Sequence, residues 1–214
     1  MTISNIEKIK CPQEHIFEAS LLSAISVAGN PELKEALIAG EINLVSCPVC
    51  GEMFFAECFI LYHDTENELI AFVYPLSFQE QATQCKAKMK KEFELALANF
   101  EARRKINYEP ILLFGIEDLV LLLRSEQNIE DEEAILKYIA PKLSLKTVKI
   151  SPYLSRKLGI PKLLPVPKGL KEMDIISLTE SLQVLVKYNP NLLYYTELLE
   201  KILKHRINIL DIKQ

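Results

Sequence analysis

Glycine is scarce in this chain: there are 6 glycines in 214 residues, too few for a glycine-rich phosphate loop to be hidden among them. No HExxH sequence, nucleophile elbow or carboxylate pair at a diagnostic spacing occurs, so the hydrolytic chemistry of those motifs is not written here. The balance falls against an enzyme. Long apolar runs are also missing. The most apolar stretch, ILLFGIEDLVLLL at residues 111 to 123, is interrupted by Glu117 and Asp118 and falls short of the roughly 20 residues that cross a bilayer. It reads as a buried helix end, and no membrane is expected. Residues 1 to 10, MTISNIEKIK, lack the basic start and apolar run of a secretory leader and alternate like a strand, so the expected location is cytoplasmic. Five cysteines are an odd set for a disulfide framework and point to thiols kept reduced or bound to metal.

What is present is a chain with 49% hydrophobic residues, enough to bury a core. Its charge is uneven. Residues 1 to 80 carry three lysines (Lys8, Lys10 and Lys34) against twelve acidic residues, a net of −9; since the whole chain stands at −4, the remaining 134 residues carry +5. Residues 141 to 171 hold Lys142, Lys146, Lys149, Arg156, Lys157, Lys162, Lys168 and Lys171 with no acidic residue. This stretch is a solvated linker face, or a basic surface that docks on the acidic N-terminal part of the same or another subunit. The alternative is an anionic partner such as nucleic acid. Tyr153 is the one aromatic there, which leaves no row of stacking platforms for single strands.

Along the chain, IEKIK at 6 to 10 and HIFEASLLSAI at 15 to 25 suit two strands of a hairpin around Cys11. Asn30 and Pro31 mark an N-cap and first helical position, and PELKEALIAG stops at Gly40. INLVSC, EMFFAECFILYH and LIAFVYP read as three strands in sequence, the last two joined by the DTENE turn. From residue 78 the period changes: Cys85, Met89, Phe93, Ala96, Leu97 and Phe100 recur at steps of three and four, predicting a long amphipathic helix over 78–105 with Cys85 in the core. IEDLVLLLRSE and IEDEEAILKYIA follow as two shorter helices with acidic first turns. SPYLSRKLGIPKLLPVPKG, with four prolines, reads as a linker or extended packing arm. Stripes at Ile175, Leu178, Leu182 and Leu185 and at Tyr195, Leu199 and Ile202 flank Asn189-Pro190 and predict an α-hairpin that packs on the rest of the chain or on a second copy. The fold class is α+β, divided as a β domain over 1–76, a helical region over 77–145, a basic proline-containing linker over 146–172 and a helical hairpin over 173–214.

The most specific motif is CPVCG at residues 47 to 51. Proline fixes the entry of the turn, and glycine permits a positive φ that lets backbone N–H groups point at the sulfurs. Two such knuckles offer four ligands to a tetrahedral metal ion. A redox CxxC pair would sit at a helix N-terminus, whereas Gly51 is followed by the strand pattern MFFAECFI. An earlier stretch, CPQEH at 11 to 15, matches the motif as far as Gln13. The order KIKCP, NPELKEALIAGEINLVSCPVCG, ILYHD and a strand ending at Pro75, followed by FGIEDLVLLLRSEQNIEDEEAILKY at 114 to 138, resembles the CpXC family, named for two Cys-Pro-x-Cys motifs. The resemblance covers about residues 5 to 140. It implies a zinc-ribbon-like antiparallel β domain with an inserted short helix, followed by helices, and implies no activity.

The chain departs from the family at the first motif, where Glu14 stands in place of the second cysteine. Three readings stay open: His15 completes a Cys3His site with Cys11, Cys47 and Cys50; Glu14 ligates through oxygen; or the site holds no metal and the cysteines pack as small apolar residues. In the first reading the turn widens to absorb the shift of one residue. Zinc is the cofactor expected of either occupied site. Cys58 reads as a core residue, His63-Asp64 as the cap of a turn, and His205 as a cation in the last turn of a helix. The functional expectation is a binding or assembly module that acts through a protein partner or self-association. The alternative is a nucleic-acid-associated protein that uses Lys142, Lys146, Lys149, Arg156, Lys157 and Lys162. An enzyme with an open zinc site stands third.

Overall fold

The computed structural model describes residues 2–99, 106–170 and 172–204. The chain forms two compact units, Met1–Arg124 and Ser125–Gln214, and the architecture is α+β. None of the described helices is long and apolar enough to cross a membrane.

The first unit is built on a mixed five-stranded sheet. Strands β1 (Ile3–Lys10) and β2 (Ile16–Ser26) form the expected antiparallel hairpin around Cys11. β2 then lies parallel to β5 (Ile60–Asp64), β5 antiparallel to β6 (Leu69–Tyr74), and β6 parallel to β7 (Ile111–Phe114). The parallel pairs arise because both connections are crossovers. One runs through helix α1 (Glu32–Ala39) and a two-stranded ribbon of β3 (Leu44–Ser46) and β4 (Met53–Phe55). The other runs through a 3-10 turn (Leu76–Gln81) and helix α2 (Ala82–Asn99).

Every residue of β6 is buried, and the period of two divides them between two cores. Leu69, Ala71 and Val73 pack with Leu21, Ile25, Leu37, Tyr62, Leu119 and Leu123, whereas Ile70, Phe72 and Tyr74 pack with Cys85 and Met89. Cys85 is thus a core residue, as its spacing implies. The β5–β6 turn is tied by Asp64, as expected of a turn cap. Its Oδ1 accepts the backbone N–H groups of Glu66 and Asn67, each at 3.1 Å, and its Oδ2 accepts from the Asn67 amide at 2.9 Å. Lys34 Nζ of α1 lies 3.5 Å from Oδ2.

Several local readings are corrected. EMFFAECFILYH is not one strand: β4 pairs with β3, β5 pairs with β2 and β6, and Ala56–Phe59 carries the chain between the two sheets. ILLF is strand β7, and the helix starts after Gly115 at φ 81°. The two expected short helices are one, α3 (Ile116–Ile139), because no glycine or proline interrupts residues 116–139. Asn30 does not cap α1; its Oδ1 accepts from the Thr2 hydroxyl at 2.9 Å. Gly40 ends that helix at φ 76°, as expected. The expected helix over 78–105 is α2 at Ala82–Asn99, and its last residues lie outside the described ones.

In the second unit, residues 125–139 of α3 run into a 3-10 turn (Ala140–Leu143) and an antiparallel pair, β8 (Leu145–Lys149) and β9 (Leu163–Pro167), with helix α4 (Pro152–Leu158) between the strands. The prolines are placed where they cost no hydrogen bond. Pro152 opens α4 behind the Ser151 cap. Pro165 and Pro167 share the parity whose N–H would face away from β8, since Lys168 N–H bonds to Ser144 and Ile150 N–H to Lys162 across the pair. The expected α-hairpin is α5 (Ile175–Tyr188) and α6 (Leu193–Leu203). Leu178, Leu182, Leu185, Tyr195, Leu198 and Ile202 bury against Leu136, Ile139, Leu164 and one another, so the hairpin finds its core within the unit. His205 lies outside the described residues.

Burial pushes the Asp64 carboxyl up, but the Asn67 hydrogen bonds and the Lys34 charge outweigh it and hold the group below the usual carboxylate range. The unfolded chain therefore binds that proton more tightly, and the stabilisation from Asp64 is complete above the ordinary aspartate value of about 3.9 and is lost as pH falls through the folded value. Asp64→Asn is expected to be less stable by about 1–2 kcal/mol at neutral pH. In chemical unfolding followed from neutral to acid pH, its deficit against the native chain should shrink below about pH 4; a deficit that grows on acidification contradicts this.

Candidate metal centre

The two knuckles sit at the tips of two ribbons of the first unit. Cys11 follows β1, and its turn closes when Cys11 N–H donates to His15 O at 2.9 Å and Glu14 N–H donates to Cys11 O at 2.8 Å. Cys47 follows β3, and there Cys47 N–H donates to Glu52 O and Gly51 N–H to Cys47 O, both at 2.8 Å. The second turn closes on the fifth residue after its cysteine and the first on the fourth. The left-handed position shifts accordingly, with Gly51 at φ 74° in one turn and Glu14 at φ 67° in the other. The first turn is therefore one residue shorter than the second; it is tighter, not wider as the sequence suggests, and His15 stands directly after the left-handed position.

The ligand atoms of Cys11, His15, Cys47 and Cys50 all lie within 4.8 Å of one another and could hold a metal ion. Cys11 Sγ is 3.4 Å from His15 Nδ1 and 4.0 Å from Cys50 Sγ. Zinc bonds of about 2.3 Å to sulfur and about 2.0 Å to nitrogen, set tetrahedrally, place sulfurs about 3.8 Å apart and nitrogen about 3.5 Å from sulfur. The donor set fits such an ion. Cys11 and Cys47 are buried, at 3% and 1% exposure, and Cys50 is exposed. Burial pushes the Cys47 thiol up, but backbone N–H groups of Cys50 and Val49 point at its sulfur and draw it below the ordinary thiol value. The N–H of Glu52 favours the Cys50 thiolate, but burial and the neighbouring thiols prevail and push that group up. Glu14 lies outside the cluster: its carboxylate bonds Lys10 at 2.8 Å and is 79% exposed. Gly51 leads into β4, not into a helix, unlike a redox CxxC pair.

The remaining candidates lie elsewhere. Cys58 is buried in the first core, where burial pushes its thiol up to about 11. Its sulfur accepts from Asn43 Nδ2 at 3.2 Å. Asn43 was not flagged by its sequence context. At φ 56° it also bonds Leu22 through both amide atoms, standing in for a neighbouring strand. His63 Nε2 lies 3.2 Å from the Tyr108 hydroxyl, away from the cysteines, and burial keeps the imidazole below its ordinary value.

The basic segment faces the glutamates of α3. Arg156 Nε meets Glu126 Oε1 at 2.6 Å and Lys162 Nζ meets Glu130 Oε1 at 2.7 Å. Buried Glu133 accepts the backbone N–H groups of Lys162 and Leu163 at 2.5 and 3.2 Å. Lys146 Nζ donates to Leu170 O at 2.8 Å, Lys142 stands over the Tyr138 ring and Lys157 over Tyr153. Lys149 is exposed, and Lys171 lies outside the described residues. The signal for this pairing was the spacing of Glu126, Glu130 and Glu133, which puts them on one face of a continuous helix.

Among known proteins, the model of the CpXC protein family matches residues 9–128, from before the first knuckle into α3. No curated protein and no solved structure matches the chain.

A glutamate at positive φ costs roughly 1–2 kcal/mol, and glycine there would relieve it while adding roughly 0.5–1 kcal/mol of unfolded-state entropy. Glu14→Gly is therefore expected to stay within about 1 kcal/mol of the native chain in thermal unfolding, and Glu14→Val, β-branched at the same φ, to fall below it by about 1–2 kcal/mol. Equal losses in both variants would mean that the carboxylate matters more than the backbone.

Proposed function

The chain belongs to the CpXC family, and we propose that its N-terminal module, residues 1–76, holds one zinc ion through Cys11, His15, Cys47 and Cys50 as the structural clamp of a non-enzymatic binding or assembly protein. The observation that carries this reading is the convergence of four ligand atoms from two knuckles. Four protein ligands close a tetrahedral site and leave no position for water, which is the arrangement of a structural zinc and not of a catalytic one. The bound ion would join the two turns and contribute its binding energy to folding.

A binding role is supported by the outer face of the β3–β4 ribbon. Leu44 lies opposite Phe55 and Ser46 opposite Met53, so these four side chains share one face. Met53 is 64% and Phe55 44% exposed, while Val45 and Phe54 on the other face pack on the core. Apolar side chains held outward on a ribbon suit a protein partner or a second copy. Nucleic acid is the less favoured partner, because Arg156 and Lys162 are already paired with glutamates.

Protein purified without chelator is expected to carry one zinc per chain by elemental analysis, and a strong chelator should lower its melting temperature. His15→Ala should weaken zinc binding by at least about 10-fold, since a tetrahedral site loses one of four ligands. Metal retained at full affinity in the variant would move the fourth ligand to water or another group, and absence of metal from the native protein would overturn the reading. Binding of a duplex DNA probe, measured across a salt series, should be weak, because Arg156 and Lys162 are held by glutamates; tight binding lost steeply with salt would favour the nucleic-acid reading.

A further inference from the structure

We infer that Cys50 is a site of oxidation by hydroperoxides, and that Cys11 resolves the oxidised sulfur to close a disulfide across the two knuckles. Cys50 is the exposed one of the five thiols. Cys58 and Cys85 are buried in the two cores of the first unit and belong to neither turn. Cys11 Sγ lies 4.0 Å from Cys50 Sγ, across 39 residues of sequence, so a small rotation of the side chains brings the sulfurs to the roughly 2.05 Å of a disulfide. The altered first motif gives the pairing its direction. A turn with its own second cysteine could close a disulfide within itself, but here Glu14 and His15 stand in that place, and every thiol near Cys11 lies across the gap. Cys47 is buried at 1% exposure, so an oxidant arriving from solvent meets Cys50 first.

The chemistry balances with one hydroperoxide per disulfide. The Cys50 sulfur attacks the peroxide oxygen and the O–O bond breaks, giving a sulfenic acid and water when the oxidant is hydrogen peroxide. The Cys11 sulfur then displaces the sulfenic hydroxyl, which leaves as water with the Cys11 thiol proton. Two thiols are oxidised and one peroxide is reduced to two waters. The product removes two of the four ligand atoms yet keeps the two turns joined, so the clamp passes from a metal to a covalent bond. Release of metal rests on the zinc reading above; the identity of the disulfide does not.

The test is to treat full-length, zinc-loaded protein with equimolar hydrogen peroxide, alkylate under denaturing conditions and map the unreduced peptides, while a chromogenic chelator reports released zinc. The expected result is a fall from five free thiols to three, a link between the peptide carrying Cys11 and the peptide carrying Cys47 and Cys50, and zinc release in step with it. Cys47→Ser should keep the cross-link and Cys11→Ser should lose it. A disulfide confined to Cys47 and Cys50, a sulfinic acid at Cys50 with Cys11 unmodified, or thiols that do not react would each overturn the inference in the native chain alone, whether or not a variant folds. If the protein carries no zinc, the same mapping on the metal-free chain still decides the disulfide, which separates failure of this inference from failure of the zinc reading.

Discussion

Two ribbons, each too small to be stable alone, meet at four side chains. β2 runs from Ile16 to Ser26 but pairs with β5 only through Ala24, Ile25 and Ser26, so most of the β1–β2 hairpin is a two-stranded extension of the five-stranded sheet. The β3–β4 ribbon pairs with no other strand. Isolated two-stranded ribbons are marginal in water; these two are tied by Asn43 to the Leu22 backbone, by the edge-on contact of Phe17 with Phe54 at 6.2 Å, and by the core their inner faces share. A metal ion bound at the two tips would add a direct link between the two turns. The proposed zinc ion would thus have a structural task, joining the tips of the two ribbons.

The rest of the first unit stands on ordinary burial. β6, enclosed on both faces, sets the sheet, and α1, α2 and the start of α3 cover it. The second unit has its own core, in which the α5–α6 hairpin closes over β9; the Tyr195 hydroxyl donates to Leu163 O at 2.9 Å on the strand edge that the prolines leave unladdered. Within it, the Arg156–Glu126 and Lys162–Glu130 ion pairs and the bonds of Glu133 fix α4 and β9 to α3.

Much of this was legible in the sequence wherever one periodicity dominates. The β1–β2 hairpin, α1 with its Gly40 stop, and α5 and α6 follow from alternation or from steps of three and four. The CPVCG turn was legible because its residue types have no cheaper explanation, and it lies within the residues 9–128 that the family model matches. Features that depend on long-range pairing were hidden. Glu130 and Glu133 look like the acidic first turn of a new helix until the basic segment is seen opposite them. The prolines of KLLPVPK conceal a strand because only the tertiary fold shows which of its edges needs no N–H. The first knuckle was legible in kind but not in geometry, since sequence cannot say whether a turn takes up a shift by widening or by tightening.

The claim on which the account depends most is that one ion joins the two ribbons through three sulfurs and one imidazole. X-ray absorption at the zinc edge of the purified full-length protein tests it directly. The account predicts a first shell of three sulfurs at about 2.3 Å and one nitrogen at about 2.0 Å, with the outer-shell scattering of a single imidazole. Three sulfurs with a water oxygen and no imidazole signal would contradict it, because His15 would then stand outside an open site.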